Sequence, residues 1–105
     1  MFSGGDYEEV ARWLWNFVLA HAKRENLRVE VVVDTDGSRE GQSYGIRLRL
    51  GRDLRPAPPE PAVELGFPEV AQNRGSLAWC GGLADRVRAL AREFSAAGSA
   101  PLRSA

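Results

Sequence analysis

The chain is poor in the side chains that do chemistry on their own. One cysteine, Cys80, and one histidine, His21, occur among 105 residues. A lone cysteine excludes an internal disulfide, so the thiol content points to no oxidising compartment. A zinc site takes about four ligands, and one His with one Cys does not supply the usual set. No metal and no cofactor is therefore expected. Charge of one sign is missing as well: 14 basic residues balance 14 acidic ones, and no quarter of the chain departs from neutrality by more than two charges. A nonspecific nucleic-acid binder carries a polybasic footprint, and none is present. The longest apolar run is far short of the roughly 20 residues of a membrane span. Met1-Phe2-Ser3-Gly4-Gly5-Asp6 lacks the basic start of a signal peptide. The expected setting is cytoplasmic, with no membrane partner.

What remains is a composition close to the globular average, 44% apolar and 27% charged. At this length it predicts one domain over residues 1–95, a proline-rich internal connector over 52–62, and a flexible C-terminal tail over 96–105. Asp6 is the expected N-cap of a first helix running to about residue 25, with Glu9 as its capping-box partner. From Leu27 the hydrophobic period changes from 3.6 to 2. Leu27, Val29, Val31 and Val33 alternate with Arg28, Glu30, Val32 and Asp34, and Tyr44, Ile46, Leu48 and Leu50 alternate with Gly45, Arg47 and Arg49. These are two strands of an antiparallel hairpin with one wet face. The register that sets Glu30 opposite Arg49 keeps the apolar residues on one side and avoids a like-charge pair. Val63, Leu65 and Phe67 read as a third strand, and Leu77 to Cys80 as a short fourth. Gly81-Gly82 should break the chain before a second helix striped by Leu83, Val87, Leu90 and Phe94. The predicted fold is an α+β two-layer sandwich of order α-β-β-β-(β)-α, with both helices on one face of a mostly antiparallel sheet.

Three constellations bear on chemistry. Cys80-Gly81-Gly82-Leu83-Ala84-Asp85-Arg86 has a cysteine and an arginine separated by five residues at a chain break before a helix. That spacing resembles the phosphate loop of cysteine-dependent phosphatases, and the resemblance implies a thiolate at Cys80 and an anion-holding Arg86. Trp79 stands where that family usually has histidine, and the glycines cluster at the loop's start. The bland reading makes Cys80 an apolar filler. Asp34-Thr35-Asp36-Gly37-Ser38 fails the spacing of a calcium loop, with glycine at the fourth position and Gly45 where the bidentate Glu belongs. Catalytic residues are not assigned, because no phosphate-cradling loop with lysine and no Gly-x-Ser-x-Gly is present.

The third constellation is basic. The α-β-β-β-α order is similar to that of double-stranded RNA-binding domains, which makes RNA the alternative partner. Arg28, Arg47 and Arg49 on the wet sheet face, with Arg86 and Arg88 of the second helix, are the candidate contacts. The loop Thr35–Ser43 has neither the Pro nor the His typical of that family, and the second helix opens without a lysine cluster. No aromatic stands on the wet face to stack a base.

The first helix carries the leading reading. Trp13-Leu14-Trp15-Asn16-Phe17-Val18-Leu19-Ala20 is interrupted by Asn16 alone. Tyr7, Val10, Leu14, Phe17 and Val18 make a normal core stripe, Trp13 and Trp15 fall on its opposite flanks, and Leu19 lands near the polar side. Either the proline connector and the 69–76 segment cover the tryptophans, or a second chain does. Trp13, Trp15 and Leu19, with Arg12 and Asn16 around them, match the composition of an interface. A two-fold homodimer through this helix, in a non-catalytic interaction module, is the expectation.

Overall fold

The computed structural model describes residues 4–104, with side chains over 6–94. The tail expected over 96–105 falls outside the residues whose side chains are described. Helix α1 spans Gly4–Ala22, followed by β1 (Glu30–Asp34), a single 3-10 turn (Gly37–Arg39), β2 (Ser43–Leu50), β3 (Asp53–Arg55) and β4 (Val63–Gly66). Helices α2 (Phe67–Asn73) and α3 (Leu77–Ser104) complete the order. The architecture is the α+β sandwich expected, with the helices packed against one face of a four-stranded antiparallel sheet.

β2 is the central strand. β1 pairs along one side of it in the expected register, Glu30 opposite Arg49. On its other side β4 pairs with the first half, Tyr44 opposite Leu65, and β3 with the second half, Leu48 opposite Arg55. Alternation sends Tyr44, Ile46 and Leu48 inward, where they are buried with Leu14, Val18, Val29, Leu65, Val70, Val87 and Phe94. The core also holds a polar tie. Tyr7 stacks on Tyr44 with ring centroids 4.7 Å apart, and the Tyr44 hydroxyl donates to the Tyr7 carbonyl at 2.8 Å. The Tyr7 hydroxyl bonds the Arg39 carbonyl at 3.0 Å and the Ser43 carbonyl at 2.5 Å. Burial pushes both phenol pKa values up, outweighing the opposing pull of Arg39 on Tyr7 and of Arg74 on Tyr44, so both stay protonated donors.

Several local expectations are corrected. Asp6 sits within the first turn of α1 rather than capping it. Leu27 is 78% exposed, because the turn between α1 and β1 runs on to Val29 and takes Leu27 out of the strand's alternation. Asp53–Arg55 is a strand, although it lies in the segment read as connector. Gly51 opens its two-residue turn with φ +63, a value tight hairpins need and glycine tolerates. Phe67 begins α2 instead of ending a strand, with Pro68 in the first turn where its missing N–H is harmless. Leu77 to Cys80 is helical, and Gly81-Gly82 lie inside α3 instead of breaking the chain before it. Hydrogen bonding explains the last change. Ser76 caps the helix by accepting from the Trp79 amide at 3.2 Å, so the start moves ahead of the glycines.

Candidate interaction surface

The two flanks of α1 differ. On one, Trp13 stacks on Phe17 with centroids 5.1 Å apart, and Phe17 lies 4.5 Å from His21, giving a column at four-residue spacing. This column is on the side of α1 that meets α3. His21 lies within the field of Arg88, and Glu25 accepts from Arg92 at 3.4 Å. Trp13 and Phe17 are half-buried against the core. Burial, helped by Arg24 and Arg88, holds His21 below its usual pKa, and its Nδ1 finds no hydrogen-bond partner among the described residues.

Trp15 and Leu19 point the other way. Trp15 is 40% exposed, Leu19 is half-buried, and Arg12 and Asn16 are exposed beside them. Asn16 is turned back on its own helix, its Nδ2 donating to the Arg12 carbonyl at 3.0 Å. Of the residues read as an interface, Trp15, Leu19, Arg12 and Asn16 therefore share one surface, and Trp13 belongs to the opposite side. Neither segment thought able to cover the tryptophans lies over Trp15. The proline connector is held on the outer face of the sheet, where Arg47 donates to the Glu60 carbonyl at 2.8 Å and to the Pro56 carbonyl. The 69–76 segment is mostly α2, which packs on β4 and on α1, meeting the start of α1 through the edge contact of Phe67 with Tyr7.

Ala11 and Glu8, one and two turns before Trp15 on the same flank, border the end of β1 at Thr35, and β1 hydrogen-bonds to β2 alone among the described strands. Val31 and Val33 face the core side yet are only half-buried, whereas Ile46 and Leu48 opposite them are fully buried. The difference is positional. β2 has a neighbour on both sides, and β1 has one.

The arginines do not converge. Arg47 and Arg49 line an open groove of about 750 Å³ on the outer face, Arg28 lies in the turn before β1 and does not line it, and Arg86 and Arg88 belong to the helical layer behind. On the outer face Arg49 is paired with Glu30, and Arg47 with the connector carbonyls. Arg39, which sequence reasoning passed over, lies flat across Gly45 and bridges Asp34 and Glu64, each at 2.9 Å. The Arg39 hydrogen bond, with another from Ser43, holds the Glu64 pKa below the usual carboxylate range. Glu30 is lowered in the same way by Arg49. In the helical layer Arg88 reaches Asp85 at 3.0 Å. Arg28 is exposed and has no ion-pair partner among the described residues.

Cys80 lies in the first turns of α3, half-buried, with its Sγ 3.5 Å from the Arg74 carbonyl and 3.8 Å from that of Asn73. The seven residues from Cys80 to Arg86 are wound into helix, so the amides after the thiol serve the helix and form no cradle for an anion. Among the described residues no group of three potential metal ligands occurs, and no helix is long and apolar enough to cross a membrane. Compared with protein families, curated proteins and solved structures, the chain matches none of them.

Proposed function

We propose that this protein is a non-catalytic interaction module that self-associates through the first helix. The observation that carries the reading is Trp15, an indole left 40% exposed beside Leu19 on the flank of α1 that faces away from α3. Aromatic anchors surrounded by polar residues are the usual make-up of an interface centre, and Arg12 and Asn16 supply that surround. Trp13 contributes by rigidifying the helix from its other side, through the Phe17 stack. Arg39 and Arg49 are paired with carboxylates and Arg47 is tied to connector carbonyls, which favours helix-mediated association over an RNA track along the outer face.

Light scattering at two well-separated protein concentrations tests this. Wild-type protein is expected at twice the chain mass at the higher concentration, and the double variant Trp15→Ala, Leu19→Ser at the single-chain mass with unchanged circular dichroism. A wild-type chain that stays monomeric at high concentration would sink the proposal. An unfolded double variant would instead assign both side chains to the core.

A further inference from the structure

We infer that the partner surface extends from α1 onto the free edge of β1, and that two copies join there edge to edge, antiparallel, about a two-fold axis at Val31. The inference rests on the self-association proposed above and specifies its geometry. Edge strands that stay single are normally blunted by proline, lysine, a bulge or extreme shortness. The opposite edge is blunted in this way: β3 has three residues, β4 has four, and Pro56, Pro61 and Pro68 flank them. β1 is Glu30-Val31-Val32-Val33-Asp34, five residues with no proline and no lysine, and its core-side valines are only half-buried.

Charge selects a second copy of the same strand and one register. Pairing about Val32 would set Glu30 against Asp34 twice, and pairing about Glu30 would oppose Glu30 to itself. Both are like-charge contacts, which destabilise a ladder. Pairing about Val31 avoids both contacts and brings Arg28 of each copy, in the turn just ahead of β1, toward Asp34 of the other. Arg28 is one of several exposed cations without an ion-pair partner among the described residues. Asp34 already accepts from Arg39 and from the Asp36 amide, and a carboxylate has room for a further donor. The same register sets Val31 against its own copy on the core side, so the half-buried apolar face of β1 continues across the joint.

The helix flank falls at the same level. Ala11 and Thr35 line one small groove at the far end of β1. From there Trp15 and Leu19 lie about 6 and 12 Å along the helix, while Val33 and Val31 lie about 7 and 13 Å back along the strand. Leu19 thus stands level with the proposed axis and Trp15 one step from it. Across a two-fold, the exposed flanks of two α1 helices close over the new strand pair.

Two measurements on the 105-residue chain decide it. In a Cys80→Ser background, Glu30→Cys, Val31→Cys and Val32→Cys are oxidised and run on non-reducing gels. Doubled mass for Val31→Cys, with the other two remaining single, is expected, because only Val31 faces its own copy. Cross-linking centred on Glu30 or Val32 overturns the register. Amide exchange of unmodified wild-type protein, needing no substitution in the strand, is expected to protect residues 30–34 on both sides of β1 at high concentration. That extra protection should disappear in Trp15→Ala, Leu19→Ser. A dimer without it, and without any cross-link, overturns edge pairing and leaves the helix flank as the interface. A monomer at every concentration overturns both.

Discussion

Trp13 and Trp15 are two residues apart on one helix and meet opposite surroundings. Trp13 is stacked on Phe17 and half-buried on the side toward α3, while Trp15 is 40% exposed on the opposite flank. Their chemistry is identical, so the difference lies wholly in what the chain places beside them. The two edges of the sheet repeat the contrast. The β3–β4 side is short and flanked by prolines, and the β1 side is a continuous run of valines between two acids. A helix flank and a strand edge left open on the same side of a domain together form a surface, which neither would form alone.

The largest effect expected from breaking this comparison is on stability. Trp13→Ala should lower the unfolding free energy in urea by about 2–3 kcal/mol, as for a large partly buried aromatic. Trp15→Ala, measured on protein dilute enough to be monomeric, should cost under about 1 kcal/mol. Equal losses would mean that both flanks belong to the core.

A second test loosens the open edge without touching it. Arg39 ties β1 to β4 through Asp34 and Glu64, and it lies where a Cβ on Gly45 would sit, 2.6 Å from Nε. Gly45→Ala should displace the guanidinium and cost about 1 kcal/mol, the scale of an exposed ion-pair network. Amide exchange should quicken at Asp34 more than at residues 63–66, since β4 keeps its ladder to β2. Unchanged exchange at Asp34 would show that the bridge does not secure that edge.

The smallest effect concerns pH and the closed flank. Burial holds the His21 pKa below its usual value near 6.5. The unfolded chain therefore takes up the proton first. Stability should fall as pH drops through about 6.5 and level off below the folded-state pKa. A further decline should follow in the carboxylate range, as Glu30 and Glu64, both lowered by arginine hydrogen bonds, lose their charge. His21→Gln should flatten the first slope and keep the second. A first slope unchanged in that variant would assign it to another group.

Much of this architecture is legible in the residues themselves. Period-2 alternation marks the β1–β2 hairpin, and the opposition of Glu30 to Arg49 sets its register, because both are properties of near neighbours on a ladder. The α1 stripe of Tyr7, Val10, Leu14 and Val18 is equally local, and all four are buried. Short elements were harder to read. β3 has no alternation long enough to show, and the start of α3 depends on a Ser76 hydroxyl outweighing the tendency of Gly81-Gly82 to end a helix. Arg39 escaped notice because its partners Asp34 and Glu64 lie on different strands and meet only across Gly45.

That α1 has more apolar surface than one stripe can bury is readable from residue order, since hydrophobic periodicity follows from helix geometry alone. That Trp13 faces the helical layer, that the proline connector lies on the other face of the sheet, and that Trp15 stays exposed on the opposite flank are matters of tertiary packing. Those outcomes depend on the order in which strands flank β2. That order is set by packing between distant segments, which no local pattern encodes.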